Sequence, residues 1–372
     1  MANQVKVEGL YYHVPFCDSI CSYCDFAKMF YNEKMADEYL EALAYERSQY
    51  EIDTNYVRTI YIGGGTPSSL NINQLRKLFD IIKASDYPNL EEFTIEVNPE
   101  SVTKEKIDLF VSNKINRISL GVQTFNEDLL HSINRKHTLK EIEDALSLLN
   151  SYNLDVSIDL MYGLEKQRIE DIKNDLSYLD KYHIKHLSAY SLILEEGTVL
   201  YNENYIKDES NDEVLEEYLH NQLNLLGYEH YEVSNYAKDN HYSKHNFLYW
   251  TSKPYLGLGL GASSYIDNVR FTNTRSITNY NKHLFNREYE YLDTLNKQLI
   301  DDIVVQFRNY LGIDLEYFKI KYSIDFKTFF ESVIIDKNSY LYIKENKLYF
   351  TKKGQDYLND VILFFIEYLE EK

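Results

Sequence analysis

Short apolar runs rich in β-branched residues alternate with amphipathic segments along the first two-thirds of the chain. The apolar runs show little alternation between apolar and polar positions, which is typical of parallel strands that are buried on both faces. This pattern predicts strands at residues 9–14, 59–62, 92–97, 117–121, 155–160 and 186–191.

The segments between these strands have helical periodicity. Apolar residues recur at i, i+3, i+4 and i+7 across residues 75–82, and Thr138 followed by Glu141 is a capping-box pattern that begins a helix. Alternating strand and helix units with right-handed crossovers predict an α/β fold, interpreted as a partial (βα)6 TIM-type barrel. An open doubly wound sheet is the alternative that periodicity leaves.

The pattern changes after residue 194. A helix at 213–226, an extended stretch at 228–233, a polar segment and a glycine-rich turn, "YLGLGLGASSY", follow in that order. Helices at 300–310 and around Phe318, a hairpin turning at Glu345 and Asn346, and a terminal helix predict a small C-terminal α+β winged-helix-like domain. We therefore divide the chain into a barrel core (1–200), a barrel-completing region with a His–Asn motif (201–288) and the C-terminal domain (289–372).

Composition narrows the function classes. The chain of 372 residues has a formal net charge of -20, which argues against a broad electrostatic grip on nucleic acid. The N-terminus lacks the apolar core of a signal peptide, and no apolar run approaches the roughly 20 residues that cross a bilayer. We therefore expect a cytoplasmic protein without a nucleic-acid partner.

The cysteines of the chain, Cys17, Cys21 and Cys24, all lie within eight residues. In a reducing compartment this spacing indicates a metal or redox site rather than disulfides. A C-x3-C-x2-C loop can present three thiolates to a 4Fe–4S cluster and leave one iron open for a ligand. The alternative is a zinc ion with His13 as a fourth ligand, but His13 falls within the first predicted strand.

Polar or glycine groups stand at the end of each of the other predicted strands, where ligands bind in α/β folds. These groups are "GGGTP" at 63–67, Glu96, Gln123, Asp159, and Tyr190 with Ser191. The glycines form either a tight turn or a loop that brings backbone amides close to a ligand. Glu96 and Asp159 either form structural ion pairs, for example with Arg117 or Arg135, or accept from an ammonium group and from ribose hydroxyls. Gln123 is either a ligand contact or a satisfied core amide.

A second group of residues with ligand-binding chemistry is "HNFLYW" at 245–250. A neutral His245 can ligate haem iron, and Tyr249 and Trp250 offer flat apolar faces to a porphyrin. The alternative is a loop that packs Trp250 into a domain seam and keeps His245 hydrogen-bonded. The residues by themselves favour this alternative.

Several segments occur in an order that resembles one known family: "YYHVPFCDSICSYCDF", "YIGGGTPSSL", "FTIEVNPES", "NRISLGVQTFNEDLL", "IDLMYGL" and "HNFLYW". They are similar to the oxygen-independent coproporphyrinogen III oxidase-like family of the radical S-adenosylmethionine (SAM) superfamily, over residues 11–265. The resemblance implies a 4Fe–4S cluster on the three cysteines with SAM on the open iron. The reduced cluster would split SAM into methionine and a 5′-deoxyadenosyl radical.

The resemblance also implies ligand contacts by position. Tyr11, Gly64 and Glu96 correspond to residues that contact one SAM molecule in the oxidases. A second SAM, held in the oxidases, corresponds to Tyr23, Gly65, Thr66, Gln123, Arg135 and Asp159. The H-N-x-x-Y-W motif implies haem contacts from His245, Asn246, Tyr249 and Trp250.

Phe26 separates two branches of this family, because the true oxidases resemble one another in a further cysteine at that position and in a long N-terminal extension. The C-D-F segment, the short chain and the H-N-x-x-Y-W motif resemble the HemW-type haem chaperone branch. The resemblance thus implies a chaperone that binds haem and passes it to an acceptor protein, with an electron-donor protein as a further partner and a dimer as an assembly state to test. An enzyme that oxidatively decarboxylates a porphyrinogen is the alternative, and enzymatic activity stays undecided.

The chain departs from the family pattern at two places. Residues 163–168 read "GLEKQR" where family members usually read "GLPGQT", and Ser263 replaces the histidine of G-A-H-S-Y. At these two places the resemblance implies no ligand contact for this chain.

Overall fold

The computed structural model describes residues 4–203 and 205–371, and in this part of the chain six parallel strands form the middle of a large mixed sheet. Their bounds are β1 (Gly9–Val14), β2 (Thr59–Gly64), β3 (Glu92–Val97), β4 (Arg117–Gln123), β5 (Asp155–Tyr162) and β6 (His186–Ser191). Each predicted strand is confirmed, and β2, β4 and β5 end two residues later than predicted.

The order of the strands in the sheet distinguishes the two predicted architectures. The central strands lie in the order β1, β2, β3, β4, β5, β6, with each neighbour pair parallel. A doubly wound sheet reverses its winding at a switch point, whereas a (βα) barrel keeps chain order. In a closed barrel β1 and β6 would pair with each other. Here each of them pairs with a further strand instead, so the barrel is partial, as predicted.

The flanking strands extend the sheet at both edges. Beside β1 lies Tyr255–Leu258, which is parallel to it, and beyond this strand the sheet continues antiparallel. On the β1 side these strands are, going outward, Ser263–Ile266, Val269–Thr272 and Glu288–Tyr291. On the β6 side they are Asn235–Ala237 and then Glu229–His230.

The glycine-rich segment 255–265 differs from its prediction as a turn, because its first residues form a strand. Leu256 and Leu258 are fully buried in the barrel core. A methyl group on Gly257 would lie 2.1 Å from the Ser263 carbonyl oxygen, so this glycine permits close strand contact. The turn itself uses Gly259, whose φ is +109°.

Helices connect the parallel strands and cover the outside of the sheet. They are Glu33–Ser48, Ile72–Ile82, Lys104–Ser112, Glu127–Ser132, Leu139–Leu149 and Ile169–Lys181. The capping box predicted at Thr138 is confirmed, since Thr138 Oγ1 accepts from the Glu141 amide and the Glu141 carboxylate accepts from the Thr138 amide. After β6 come Val199–Asn202, Glu209–Leu225, Lys244–Trp250 and Ile277–Asn281.

The C-terminal part has a hydrophobic core of its own, built on residues such as Phe307, Phe318 and Phe365. Its helices are Leu295–Gln306, Leu315–Tyr322, Phe326–Phe329, Glu331–Asp336, Lys352–Asp356 and Leu358–Glu370. Its antiparallel sheet contains Ile313–Asp314, Leu341–Lys344 and Lys347–Phe350.

The predicted hairpin is confirmed, and its turn residues Glu345 and Asn346 both have positive φ, as a type I′ turn requires. The domain limits at residues 200 and 288 remain predictions. Across residues 4–203 and 205–371, the helices lack the combination of length and hydropathy that crossing a bilayer requires.

A buried carboxylate ties the N-terminal helix to the flanking strands. Glu46 is fully buried on Glu33–Ser48, and it accepts from the Gly259 amide, the Asn273 side chain and the Tyr280 hydroxyl at 2.8, 2.7 and 2.6 Å. Arg287 completes the set at 3.1 Å. Removing a buried carboxylate with this many hydrogen-bond and ion-pair partners destabilises a protein strongly, because the partners stay buried and unpaired.

We predict that Glu46→Ala lowers the free energy of unfolding by about 3–5 kcal/mol, because Arg287 and several donors lose their buried partner. Chemical denaturation followed by circular dichroism measures this. Glu41→Ala is the matched control on the same helix, where Glu41 is exposed beside Lys77, and we expect it to change stability by less than about 0.5 kcal/mol. Equal effects of the two variants would contradict the role of Glu46.

Candidate functional site

A cavity of about 380 Å³ runs along the inside of the partial barrel. Tyr23 and Cys24 line it at the carboxyl ends of the strands, and Arg117 and His186, the first residues of β4 and β6, line it at the opposite end. A second cavity of about 520 Å³ adjoins it. Residues that line both cavities include Phe26, Tyr61, Glu96 and Asn246.

The barrel interior is polar. Alternate residues of the strands point inward and line the first cavity, among them Thr94, Glu96, Ser119, Asp159 and Ser188. In closed barrels this space is filled by layers of branched apolar side chains. A polar, incompletely filled interior is therefore suited to holding a polar ligand.

The cysteine loop begins and ends in a pair of short strands. Phe16–Cys17 pairs in parallel with Met29–Phe30, and the connecting loop carries Cys21 and Cys24. Cys17 is buried, and the other two thiols are half-buried. Burial raises the pKa of the Cys17 thiol to about 12, partly opposed by the hydroxyl of Thr66, which donates to Cys17 Sγ at 3.7 Å. A metal that binds this thiol must therefore displace its proton.

His13, the fourth ligand of the zinc alternative, is engaged elsewhere. Its Nε2 donates to the Ala27 carbonyl at 2.7 Å, and its Nδ1 accepts from the Tyr11 hydroxyl at 3.0 Å. Burial lowers the pKa of His13 to about 4, so the ring is neutral. Among the described residues, no three His, Cys, Asp or Glu side chains lie close enough together to bind a single metal ion. A 4Fe–4S cube does not need such a group, because each thiolate binds a different iron.

The glycine-rich loop packs against the cysteine loop and against Glu96. A methyl group on Gly65 would lie 2.9 Å from Cys17 Sγ, and one on Gly63 would lie 2.7 Å from Glu96 Oε1. Gly64 has a φ of +119°, and its amide donates to Glu96 Oε2 at 2.9 Å. The loop is thus both a tight turn and a close backbone approach to candidate ligand residues.

Glu96 and Asp159 face the cavity without a salt bridge among the described residues. Glu96 accepts from the Tyr61 hydroxyl at 2.9 Å, and Asp159 accepts from Ser119 at 3.3 Å. Burial raises the pKa of Glu96 to about 7 and that of Asp159 to about 6. Arg117, one of the predicted partners, instead lies 3.9 Å from Glu92.

The predicted residues Gln123 and Arg135 support tyrosines that line the cavity. Gln123 has a φ of +69° at an irregularity in the pairing of β4 and β5, and its Oε1 accepts from the Tyr190 hydroxyl at 2.7 Å. Arg135 donates to the hydroxyl of Tyr23 at 3.1 Å and to Asn98 Oδ1 at 2.9 Å. Both side chains therefore position the cavity wall.

Asn98 is a residue that the sequence analysis missed. Its Nδ2 donates to Thr66 Oγ1 at 3.2 Å while its Oδ1 accepts from Arg135, so it joins the glycine-rich loop to the Tyr23 side of the cavity. Its position directly after β3, in "IEVNP", is the strand-end signal that identifies it. Tyr61, the partner of Glu96, was also missed, because a single tyrosine carries little weight in a tyrosine-rich chain.

The His–Asn motif forms the helix Lys244–Trp250, which lies at the opposite end of the barrel from the cysteine loop. Glu92, the first residue of β3, accepts from the amides of Lys244 and His245 at 2.9 Å each. Asn246 lines both cavities, and Tyr249 lines the second one. Trp250 is half-buried and is not among the lining residues of either cavity.

His245 has both ring nitrogens engaged. Nδ1 lies 2.7 Å from Thr59 Oγ1, and Nε2 lies 2.8 Å from the Tyr249 hydroxyl. Burial lowers the pKa of His245 to about 3, which keeps the imidazole neutral. These contacts match the alternative of a hydrogen-bonded buried histidine, and haem ligation by this residue requires one of them to break. Ser263, where the family has histidine, lines the second cavity.

We predict that Gly65→Ala impairs cluster assembly, because its added methyl group would also lie 2.8 Å from the Pro15 carbonyl carbon. Iron and sulfide content after anaerobic reconstitution measures this. Gly227→Ala is the control, since Gly227 has positive φ and open space around its α-carbon, so this variant loses stability without touching the cysteine loop. Normal iron content in Gly65→Ala would contradict the close approach.

A buried aspartate holds the segment after Gln123. Asp175, on the helix Ile169–Lys181, accepts from the Phe125 amide at 2.7 Å and from Thr124 Oγ1 at 3.1 Å. Burial raises the pKa of Asp175 to about 7. Because the folded state then binds a proton that the unfolded state releases, this carboxyl lowers stability as pH rises from about 4 to 7.

We therefore predict that Asp175→Asn is more stable than the parent protein above pH 7, by up to about 4 kcal/mol, and that the difference shrinks as pH falls toward 4. Urea denaturation across this pH range measures it. Asp180→Asn, on the same helix with an exposed carboxylate, should show no such trend. A difference that is constant with pH would contradict the assignment.

Comparisons with known proteins agree with this geometry. The Radical SAM superfamily model matches residues 11–179. The heme chaperone HemW of Lactococcus lactis is 36% identical, covering 97% of this chain and 98% of that protein. The heme chaperone HemW of Bacillus subtilis is 33% identical, covering 97% of this chain and 99% of that protein.

A solved structure shares the fold. The coproporphyrinogen III oxidase HemN of Escherichia coli, a radical SAM enzyme, superposes with a TM-score of 0.81 at 20% identity, covering 98% of this chain and 91% of that one. At this identity the likeness concerns the fold alone, and it confirms the predicted fold class.

Proposed function

The chain belongs to the HemW family of radical SAM proteins, and from this premise we propose that it is a haem chaperone that binds a 4Fe–4S cluster, SAM and haem and passes haem to an acceptor protein. One observation carries the proposal. The cysteine loop and the helix Lys244–Trp250 border the same two adjoining cavities, since Phe26 from the loop and Asn246 from the helix line both of them. A ligand in this space can contact both elements.

Cys17, Cys21 and Cys24 would hold the cluster that radical SAM proteins carry. The three thiols fit this group because they lie close together in one segment. The cysteine loop and the glycine-rich loop also pack so closely at Gly65 that a side chain there would meet Cys17 Sγ. Bound there, a 4Fe–4S cluster would supply the electron for reductive cleavage of a SAM carbon–sulfur bond. The protein supplies the position and the partly buried surroundings.

For SAM, we propose the residues that correspond by position to the family sites. Tyr11, Gly64 and Glu96 would contact one molecule. Tyr23, Gly65, Thr66, Gln123, Arg135 and Asp159 would hold a second. The buried carboxylates Glu96 and Asp159 suit the sulfonium and ammonium charges of SAM, because a cation beside them offsets the cost of ionising them.

We predict that SAM binds more tightly as pH rises through about 6 to 7, because the raised pKa values of Glu96 and Asp159 keep these groups partly neutral below that range. Glu96→Gln should weaken SAM binding by about tenfold at pH 8 and flatten the pH dependence. Calorimetric titration of the anaerobically reconstituted protein measures both.

Glu91→Gln, an exposed position one residue before β3, is the control for this experiment and should leave the curve unchanged. A Glu96→Gln curve that matches the parent at every pH would remove Glu96 from the SAM site.

For haem, we propose contacts from His245, Asn246, Tyr249 and Trp250. Both partners of the His245 ring are hydroxyls, so both contacts are compatible with either tautomer; in one of them Nδ1 donates to Thr59 Oγ1 and Nε2 accepts from the Tyr249 hydroxyl. We propose that His245 takes this tautomer when it binds haem, because Nδ1 then stays anchored to the protein and Nε2 becomes available once Tyr249 moves away.

We predict that His245→Gln weakens haem binding by about tenfold or more, and that Tyr249→Phe strengthens it about fivefold, because the competing hydrogen bond to Nε2 is lost. Titration of the protein with haem, followed at the Soret band, measures both changes. Unchanged binding in both variants would remove His245 from the proposal.

Turnover tests the alternative function. Anaerobic incubation with coproporphyrinogen III, SAM and a reductant should yield no protoporphyrinogen, and its formation would overturn the chaperone proposal. The proposal further includes a cytoplasmic location, an electron-donor protein and an apo-protein acceptor. Light scattering decides whether the chain forms a dimer.

A further inference from the structure

The end of the barrel cavity beside the helix Lys244–Trp250, called the closed end below, carries polar groups that the proposed cluster and SAM contacts do not use. Arg117, Ser157 and His186 line it from the strands, and Asn246 lines it from the helix Lys244–Trp250. Arg117 and His186 begin their strands, so this end lies farthest from the cysteine loop.

Arg117 is a buried cation whose ion-pair partner among the described residues is Glu92, at the long distance of 3.9 Å. Its side chain is 3% exposed, and both of its terminal nitrogens donate to a single oxygen, the His241 carbonyl, at 3.4 and 3.3 Å. Glu92, at 3.9 Å, already accepts from two backbone amides of the helix Lys244–Trp250. Burying a charge is costly without a well-placed partner. The hydrogen bonds to the His241 carbonyl use two of the five guanidinium N–H groups, and Arg117 lines the cavity, so N–H groups remain to donate to a ligand there.

Ser157 lines the same space, and its hydroxyl proton follows from the hydrogen bonds of its neighbours. Tyr231 is fully buried, and its hydroxyl contacts the Ser243 amide at 3.0 Å and His186 Nε2 at 2.8 Å. The amide can only donate, so we assign the tyrosine proton to His186 Nε2, the one acceptor in contact with this hydroxyl among the described residues. His186 Nδ1 then carries the ring proton and donates to Ser157 Oγ at 2.6 Å. The Ser157 hydroxyl thus has its own proton left to donate to a ligand.

Asn246 adds an amide. Its side chain lines the cavity and has no hydrogen-bond partner among the described residues. The groups at this end are therefore donors around one positive charge, whereas the carboxylates Glu96 and Asp159 stand one inward-facing position, two residues along their strands, nearer the cysteine loop. An anion would be repelled beside these carboxylates and attracted at Arg117.

We propose that Arg117, Ser157 and Asn246 form a carboxylate-binding site, and that it holds a propionate of the haem that the protein carries. This assignment rests on the proposed function. Arginine is suited to it because its planar guanidinium can donate two parallel hydrogen bonds to a carboxylate.

The test compares haem with its dimethyl ester, in which both propionates are neutral, by Soret titration of the full chain. The parent protein should bind haem about tenfold or more tightly than the ester, as expected for a charge-assisted hydrogen bond. In Arg117→Gln this ratio should fall close to one, and in Ser157→Ala it should fall part of the way. Arg58→Gln, at an exposed arginine outside the barrel, is the matched control and should keep the full ratio.

Arg117→Lys covers the case in which Arg117→Gln does not fold, because it keeps the charge and should retain part of the discrimination. Equal affinity of the parent for haem and ester, or an unchanged ratio in a folded Arg117 variant, would overturn the site. Failure of the parent to bind either compound would instead overturn the haem chaperone proposal.

SAM is the other source of a carboxylate in this cavity. Calorimetric titration with SAM and with decarboxylated SAM, in the reconstituted parent and Arg117→Gln, separates the two sources. Loss of discrimination between these compounds in the variant, with the haem-to-ester ratio unchanged, would assign the site to SAM and overturn the propionate assignment.

Discussion

The in-register pairing of the six parallel strands is the constraint on which both ends of the site depend. Because all carboxyl ends lie at one rim, the cysteine loop, the glycine-rich loop and Gln123 meet there although they are far apart in the chain. The same register collects Thr59, Glu92 and Arg117 at the other end, where the helix Lys244–Trp250 is attached through Glu92. A slip of one residue would exchange the inward and outward side chains of a strand.

The incomplete closure of the barrel explains how its interior remains available to a ligand. Outward residues such as Ile95, Leu120 and Ile158 are fully buried in the core beneath the helices, so stability is supplied on the outside of the sheet. The inward positions are released from packing and carry hydroxyl, carboxylate and guanidinium groups. Burial raises the pKa of Glu96 to about 7, so a cation in the cavity would favour the ionised form of this carboxyl.

The two ends of the cavity offer complementary charges. The end near the cysteine loop presents Glu96 and Asp159, which suit a cation, and the closed end presents Arg117, which suits an anion. His245 has both ring nitrogens engaged, so any role it has in iron binding requires its contact with Thr59 or with Tyr249 to break. The helix Lys244–Trp250 is therefore attached to the barrel through Glu92 and also contributes Asn246 to the cavity wall.

Much of the fold follows from local sequence patterns. The six strands, the capping box at Thr138 and the type I′ hairpin at Glu345 and Asn346 depend on periodicity and turn chemistry within a few residues, so the sequence alone determined them. The cysteine loop was likewise identified by spacing alone, and the family resemblance followed from the order of the motifs.

Only the tertiary structure decided how distant segments meet. The strand Tyr255–Leu258 beside β1, the bridge made by Asn98, and the attachment of His245 to Glu92 across 153 positions all depend on pairings between remote parts of the chain. Periodicity carries no information on such pairings, because the same local pattern is compatible with many partners. Arg117 shows the difference most clearly. The sequence places it at the start of a strand, and only the packing of the sheet and helix around it makes it a buried cation that faces a cavity.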